Sequence, residues 1–137
     1  TLTSASDIST LMNQTENTIG ITTVSNASEY GSLTYENNRV TDIFEKMKHP
    51  PSTTINTGLY TFNNSIFDAL NHITTSKRQE IEITDAFNWL ISHETPPQIM
   101  NINTWVDIGK PWDLLTANEF ILSQIKKQPN SYCIQIR

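Results

Sequence analysis

The stretch that is most informative about the fold is residues 54–62, Thr-Ile-Asn-Thr-Gly-Leu-Tyr-Thr-Phe. The stretch is rich in β-branched and aromatic residues, which is typical of a β-strand. Its alternation of side chains breaks at Asn56 and Gly58, where an amide stands close to a residue without a Cβ. Because a buried Asn must satisfy both its amide and its carbonyl group, two interpretations stay open. Either a ligand hydroxyl bonds Asn56, or the backbone of a bulge does.

The segments around this strand predict an α/β fold. Short runs rich in Val, Ile and Thr predict further strands, and Asn37–Asn38 suits a hairpin turn because Asn tolerates positive φ. Apolar residues at helical spacing predict helices, the first capped by Ser4 or Ser6 and the last opened by Pro111. Mixed strands and crossing helices are typical of layered α/β domains. The predicted strands are 18–24, 31–36, 39–46, 54–62 and 98–103, and the predicted helices are 6–15, 64–74, 84–93 and 111–127.

Composition excludes several classes of protein. The chain has 137 residues, enough for one domain or an incomplete one, and a formal net charge of −5. Its nine Lys and Arg residues are scattered, with only Lys77–Arg78 and Lys126–Lys127 adjacent, so we expect no nucleic acid as a main partner. The single Cys133 excludes an intrachain disulfide. No apolar run of ~18 residues and no basic-then-apolar leader occurs, so we expect no membrane partner and a cytoplasmic location.

Glycine is scarce, with four residues at positions 20, 31, 58 and 109. A Gly-rich phosphate cradle needs closely spaced glycines, because backbone N–H groups must approach the phosphates without a Cβ in the way. No two glycines here are close together. A nucleoside triphosphate would therefore need a cradle from elsewhere.

Two polar pairs belong to the predicted hairpin. Gly31 follows Tyr30 at the start of the first strand, where backbone amides can approach a ligand. Glu45 and Lys46 end the second strand. A carboxylate beside an ammonium can grip a polyol hydroxyl and a phosphate, although successive strand residues point to alternating faces. The alternative is a hairpin with ordinary surface charges.

Two later segments carry further polar residues. The segment 82–85, Glu-Ile-Thr-Asp, stands at a predicted helix start, where its Thr or its Asp can cap the helix and favour its dipole. In the segment 105–109, Trp105 and Asp107 point to one face of an extended chain. Asp107 is a candidate Mg²⁺ ligand, since Mg²⁺ prefers carboxylates together with phosphate oxygens and water. A turn-forming Asp before a glycine is the alternative.

Together these segments resemble the sugar-1-phosphate nucleotidyltransferase family, of the glucose-1-phosphate thymidylyltransferase and N-acetylglucosamine-1-phosphate uridylyltransferase type. The family shows the same short blocks in the same order at similar spacing. The shared order and spacing of these blocks are more specific to the family than any one block. The blocks are Glu29-Tyr-Gly31, Glu45-Lys46, Asn56-Thr-Gly-Leu-Tyr60, Glu82-Ile-Thr-Asp-Ala86, Trp105-Val-Asp-Ile-Gly109 and Pro111-Trp-Asp-Leu-Leu115 with Ala117-Asn118.

The resemblance implies one pocket for a sugar 1-phosphate. Glu45 and the Gly31 backbone would contact sugar hydroxyls, and Lys46, a catalytic residue, would neutralise the phosphate that attacks the nucleotide. Asp107, the second catalytic residue, would be one of two aspartates that bind the cofactor Mg²⁺. No protein nucleophile is needed, because catalysis consists of positioning and charge neutralisation. The implied substrate-binding residues are Tyr30, Gly31, Glu45, Lys46, Asn56, Thr57, Thr84 and Trp105.

The resemblance also implies a fold and its boundaries. The expected fold is a Rossmann-like, glycosyltransferase-A-like mixed sheet with flanking helices. It would be incomplete, because the family's phosphate loop, first metal aspartate and base-reading residues have no counterpart here. Residues 1–127 would be the C-terminal half of the catalytic domain, and 128–137 a tail or a linker to a further domain. Half a sheet implies an unpaired edge and an uncovered apolar face.

The implied reaction joins a sugar 1-phosphate to a nucleoside triphosphate, UTP or dTTP, and releases pyrophosphate. The missing N-terminal half would hold the triphosphate, so we expect this chain to be inactive alone, and a homo-oligomer is among the expected assemblies. One departure from the family is Met47, which follows Lys46 where the family has proline. The alternative is a non-catalytic module of that family, which binds a sugar phosphate or a partner without turnover.

Overall fold

The computed structural model describes residues 1–76 and 79–125. The predicted tail at 128–137 and the last two residues of the predicted helix 111–127 lie outside these residues. In chain order the elements are β1 (Leu2–Thr3), α1 (Ala5–Met12), β2 (Thr18–Thr23), β3 (Gly31–Glu36), β4 (Arg39–Glu45), β5 (Thr54–Thr61), α2 (Ser65–Leu70), α3 (Ile83–Ser92), β6 (Gln98–Asn101), β7 (Trp105–Val106) and α4 (Asp113–Ile125).

A mixed sheet forms the centre of the fold, with strand order β2-β5-β3-β4-β6. Strand β2 runs antiparallel to β5 and parallel to β6, while β3 and β4 form the predicted antiparallel hairpin. Ile19 pairs with Tyr60 and Ile21 with Asn56, so residues 57–59 stand opposite Gly20 alone. This bulge accounts for the broken alternation that the sequence shows in β5. The predicted class, a mixed sheet with flanking helices, is confirmed.

The prediction that this sheet has an unpaired edge is wrong. Among the described residues, every strand from β2 to β6 has two neighbours, because the sheet closes as a small barrel. Strand β4 meets β6 at Arg39 and Gln98, and β3 meets β5 at Ser32 and Ile55. Each of these two closures consists of a single paired position, so the barrel is completed by few backbone bonds.

One hydrophobic core lies between the sheet and helices α2 and α3. Leu33 of the sheet, Ile66 of α2 and Phe87 of α3 belong to it, and each is almost fully buried. Full burial of a side chain of this kind contributes about 1.5–3 kcal/mol. The Asn88 side chain also ties α3 to β4, since it accepts from the Ile43 N–H at 3.3 Å and donates to the Ile43 carbonyl at 3.2 Å. The middle of α3 is thereby fixed against the hairpin.

Element limits differ from the predicted ones by two residues or more in three helices. Helix α1 ends at Met12 rather than at 15, α2 ends at Leu70 rather than at 74, and α4 begins at Asp113 rather than at Pro111. Asn13 and Asn71 close α1 and α2, because their backbone N–H groups bond back into the last turn. The hairpin turn is confirmed, with Asn37 and Asn38 both at positive φ.

The pairing of β1 with β7 was not predicted. Leu2 pairs with Val106 and Thr3 with Trp105 in a separate antiparallel ribbon. Two-residue strands leave no periodic signal in a sequence, so pattern analysis cannot find them. This ribbon nevertheless places the segment that carries Asp107.

Helix α4 carries the uncovered apolar surface that the sequence led us to expect on the sheet. Only Ala117 of this helix is buried. No helix in the part of the chain that the structure describes is long and apolar enough to cross a membrane. The exposed large apolar side chains at α4 are Trp112, Leu114, Leu115, Ile121, Leu122 and Ile125.

Candidate functional site

A cavity of about 430 Å³ opens where β3, β4, β5 and the start of α3 meet. Every site residue that the sequence predicts lines it, so the structure brings the whole predicted set together in one place. These residues are Tyr30, Gly31, Glu45, Lys46, Asn56, Thr57, Thr84, Trp105 and Asp107.

Gly31 sits at the tightest point of the cavity wall. A Cβ added there would lie 3.0 Å from Glu45 Oε2 and 3.7 Å from both Asn56 Cβ and Thr84 Cγ2. Four residues from four elements therefore converge around one backbone position. A larger residue at 31 would push the Glu45 carboxylate aside, because 3.0 Å is shorter than an ordinary carbon–oxygen contact.

Lys46 lies just beyond the end of β4 and has a φ of 45°. Its N–H donates to the Tyr30 carbonyl at 3.1 Å. The sequence predicts that Glu45 and Lys46 point to alternating faces, which is wrong in effect, since both line the cavity. The left-handed backbone turn at Lys46 ends the strand alternation and brings its side chain to the same side. Such a conformation is strained for a residue with a Cβ and often marks a functional position.

The Asn56 amide is oriented by its neighbours in β5. Its Nδ2 donates to the Tyr60 hydroxyl at 2.6 Å, and its Oδ1 accepts from the Gly58 N–H at 2.8 Å. The bulge interpretation of Asn56 is thus supported, because β5 supplies partners inside the chain, and the ligand interpretation stays a prediction. One Nδ2 hydrogen and one Oδ1 lone pair of Asn56 remain available to a ligand hydroxyl.

Thr84 does not cap α3, contrary to one expectation. The N-cap position is Glu82, with no side-chain cap hydrogen bond, and neither Thr84 nor Asp85 holds that place. Thr84 is 3% exposed, and its Oγ1 has no hydrogen-bond partner among the described residues. A buried hydroxyl without a partner is costly, so its position on the cavity wall favours a ligand-binding role over a capping role.

Trp105 forms one wall and is held from two sides. Its indole Nε1 donates to the Thr57 carbonyl at 3.1 Å, and its ring meets Tyr30 edge to face with centroids 5.6 Å apart. The Thr57 hydroxyl in turn donates to the Gly20 carbonyl at 2.7 Å, across the bulge. Thr57 therefore acts on the cavity through its backbone, while its side chain is part of the sheet.

The Tyr30 hydroxyl lies near the Asp107 carboxylate. Burial is the main reason that the pKa of Tyr30 is raised, and the negative charge of Asp107 adds to it. The Tyr30 phenol therefore remains protonated beside the carboxylate. Asp107 and Tyr30 also line a second, adjoining cavity of about 310 Å³ with Lys110 and Trp112.

The residues present fit a magnesium ion only in part. Within residues 1–76 and 79–125, no group of three or more His, Cys, Asp or Glu side chains is arranged to hold a metal. Asp107 supplies one carboxylate, and Mg²⁺ is commonly bound through one or two carboxylates with phosphate oxygens and water. Asp107 is thus the predicted protein ligand among the described residues, and a bound substrate would have to supply others.

The cavity is more acidic than the sequence led us to expect. Its described side chains include five carboxylates and one lysine ammonium. Pattern analysis did not select Glu29, Glu80 or Tyr60 as site residues, although Glu29 and Tyr60 belong to the quoted blocks. Glu80 lies in a polar loop that gives no signal. An anionic ligand therefore requires added positive charge in this cavity.

Comparison with known proteins supports the resemblance. Residues 5–124 match the model of the nucleotidyl transferase family. The bifunctional protein GlmU of Methanococcus aeolicus is 42% identical over 122 residues, which cover 88% of this chain and 30% of that protein. A bifunctional sugar-1-phosphate nucleotidylyltransferase/acetyltransferase of Sulfurisphaera tokodaii is 38% identical over 120 residues, covering 87% and 30%.

The fold agrees with that of a solved structure. UDP-glucose pyrophosphorylase in complex with UDP-glucose superposes with a TM-score of 0.71 at 21% identity, covering 85% of this chain and 47% of that one. The chain spans about 30% of the length of the two curated relatives named in the previous paragraph. Because the family model covers most of its residues, this chain belongs to the nucleotidyl transferase family, among the sugar-1-phosphate nucleotidyltransferases.

Proposed function

We propose that this chain is the sugar-phosphate-binding part of an enzyme that joins a sugar 1-phosphate to UTP or dTTP and releases pyrophosphate. The observation that carries the proposal is the convergence of the predicted residues on one cavity, with the buried Thr84 hydroxyl left without a partner there. A triphosphate would be held by a part of the enzyme beyond this chain, and the chain alone would be inactive.

The sugar would be recognised by hydroxyl contacts. A polyol offers donors and acceptors together, and the cavity presents both around Gly31. Glu45 would accept from sugar hydroxyls, and Asn56 would use its remaining amide hydrogen and lone pair. Thr84 would gain the partner that the described residues do not give it. Trp105 would cover one side of the sugar ring.

The phosphate would be held by charge. Lys46 is the lysine of the cavity among the described residues, and its side chain lines the same cavity as Glu45. Asp107 would bind Mg²⁺ from its place on the cavity wall beside Tyr30. When bound, Mg²⁺ supplies positive charge that offsets both the acidic cavity and the phosphates. The attacking group would be the sugar phosphate oxygen, so the protein contributes position and charge.

The test is titration calorimetry of the chain with glucose 1-phosphate and MgCl₂. We expect binding by the unaltered chain and a loss of about 10-fold or more in Asp107→Asn. Asp42→Asn is the matched control, because Asp42 is an exposed carboxylate of β4 that does not line the cavity. Equal binding by the unaltered chain and Asp107→Asn would refute the metal assignment.

A non-catalytic sugar-phosphate-binding module is the alternative outcome. It predicts the same binding but no pyrophosphate release when the intact gene product is given UTP or dTTP with glucose 1-phosphate. Release that depends on Asp107 and Lys46 would support the enzyme. Binding without release would support the module.

A further inference from the structure

Asp7 is a buried acid that none of the expected roles uses. It lies in the first turn of α1 and is 4% exposed. Burying a carboxylate is costly unless hydrogen bonds satisfy it. Its two oxygens accept four hydrogen bonds: Oδ1 from the Asn103 N–H and side-chain amide at 3.3 and 3.1 Å, and Oδ2 from the Ser4 hydroxyl and the Thr104 N–H at 2.7 and 3.1 Å.

The partners of Asp7 lie far away in the chain. Three of its four bonds come from residues 103 and 104, which immediately precede Trp105. Ser4 is the N-cap of α1, which makes Asp7 the third helical residue. An acid at that place commonly bonds back to the N-cap backbone and closes a capping box. Here both carboxylate oxygens reach the 103–104 segment instead, so the cap does not account for the residue.

The same segment is held from the other side by β1. Leu2 and Thr3 pair with Val106 and Trp105, so residues 2–7 bracket the chain from 103 to 106. Asp107 follows directly. The position of its backbone depends on this bracket, because few other backbone hydrogen bonds between described residues reach the segment. Ile102 contributes one, since its N–H donates to the Ile21 carbonyl at 2.8 Å.

We propose that Asp7 is a positioning residue, which fixes the 103–104 segment so that Trp105 and Asp107 face the sugar-phosphate cavity. This inference rests on the proposed function of Asp107. Asp7 itself does not line the cavity, so its effect on binding must pass through the segment that it holds. Charged acceptors suit this task, because hydrogen bonds to an ionised carboxylate are stronger than neutral ones.

The test compares Asp7→Asn with Thr61→Val. The amide keeps the shape of the side chain but places an NH₂ donor where one carboxylate oxygen had accepted. Thr61→Val is the matched control, because it removes the hydrogen bond from the Thr61 hydroxyl to the Leu11 carbonyl at 2.6 Å, which ties the other end of α1 to β5. Both changes loosen α1, but only the first touches the 103–104 segment.

Two measurements decide the outcome. Hydrogen exchange should show faster exchange of the Thr104 amide and its neighbours through 107 in Asp7→Asn but not in Thr61→Val. Mn²⁺, detected by its electron paramagnetic resonance in the presence of glucose 1-phosphate, should bind about 10-fold more weakly to Asp7→Asn, with Thr61→Val unchanged. Restored Mn²⁺ binding at saturating glucose 1-phosphate would further support a positioning role.

The contrary results are distinct from one another. Unchanged Mn²⁺ affinity in Asp7→Asn, or equal loss in Thr61→Val, would overturn the positioning role and leave the proposed function standing. If the unaltered chain binds no Mn²⁺ with glucose 1-phosphate, or if Asp107→Asn binds it equally well, the proposed function fails and the role of Asp7 fails with it.

Discussion

The Thr84 hydroxyl is buried at a helix start and has no partner among the described residues. Its neighbours explain why it remains so. Thr84 Cγ2 lies near the position of Gly31, and the hydroxyl belongs to a side chain whose other branch packs against the sheet. Proteins rarely leave such a group unsatisfied. Removal of this hydroxyl should therefore change ligand affinity without lowering the free energy of unfolding, although most substitutions change both.

We expect Thr84→Val to weaken glucose 1-phosphate binding without lowering stability. Valine keeps the branched shape and removes only the unsatisfied group, so the free energy of unfolding should stay equal or rise slightly. Binding should fall by about 5- to 10-fold, the cost of one hydrogen bond. Calorimetry and urea unfolding measure the two quantities. A clear loss of stability in Thr84→Val would show that the hydroxyl has a structural partner after all.

Lys46 has a strained backbone conformation. The phosphate-binding role proposed for its ammonium would explain why a lysine occupies this position. A residue with a Cβ at positive φ costs about 1–2 kcal/mol relative to glycine, partly offset by the greater chain entropy of glycine when unfolded. We expect Lys46→Gly to be more stable than Lys46→Ala by about 1 kcal/mol in urea unfolding. Both should lose glucose 1-phosphate affinity, because both lack the ammonium.

Lys48→Ala serves as the control for that experiment, since it removes a nearby lysine that does not line the cavity. It should leave binding unchanged. Equal stability of Lys46→Gly and Lys46→Ala would contradict the backbone strain at residue 46, and full binding by both would contradict the phosphate role.

At this scale the sequence predicted the residues but not their geometry. The short blocks led to Glu45, Lys46 and Asn56, and all three line the cavity. Strand alternation alone placed Glu45 and Lys46 on opposite faces, because the turn at Lys46 is set by tertiary context rather than by a glycine. Glu80 was missed since a polar loop residue has no pattern to mark it.

Among the elements, α1 is joined to the rest of the molecule through Asp7. Burial by itself would raise the pKa of this carboxyl, but the hydrogen bonds from Ser4, Thr104 and Asn103 outweigh burial and lower it below 3.8. A carboxyl whose pKa is lower in the folded state stabilises the fold above its unfolded pKa. That contribution is lost as the pH falls through the folded value.

We therefore expect the stability gap between the unaltered chain and Asp7→Asn to narrow in acid. The gap should be constant from pH 7 down to about 5 and shrink below about 4. Thermal unfolding followed by circular dichroism between pH 7 and 3 measures it, and comparison with Asp7→Asn cancels the titration of other carboxylates. A gap that stays constant to pH 3 would contradict the lowered pKa.

The elements differ in how well a sequence can reveal them. Helix α3 and the β3–β4 hairpin were predicted within a residue or two, since they carry a helical repeat and an Asn–Asn turn. The ribbon of β1 with β7 has two residues in each strand and joins positions a hundred residues apart. Its existence depends on where the folded chain brings Thr3 and Trp105, which no local pattern records.

At the scale of the whole molecule, the closed sheet and the exposed α4 have opposite consequences for association between copies of the chain. The sheet from β2 to β6 leaves no strand without a second neighbour among the described residues, so edge-to-edge aggregation is not the expected hazard. The apolar surface lies on α4 instead, where Leu115 is 68% and Leu122 is 54% exposed. Exposed apolar patches of this kind promote association.

We expect the chain to self-associate through α4 as its concentration rises. Leu115 and Leu122 are seven residues apart and therefore lie on one helix face, so Leu115→Glu with Leu122→Glu should place two like charges on that face and reduce association. Thr116→Glu with Ser123→Glu is the matched control, because it adds the same charges at the same spacing to a face about 100° away.

Sedimentation equilibrium distinguishes the two pairs. The weight-average mass of the unaltered chain and of the Thr116/Ser123 variant should rise with concentration, while the Leu115/Leu122 variant should stay near the monomer mass. Net charge alone would lower association equally in both variants, since each gains two negative charges in a chain of formal charge −5. An equal effect would therefore assign the behaviour to charge, and a monomeric unaltered chain would show that the exposed face of α4 does not drive association.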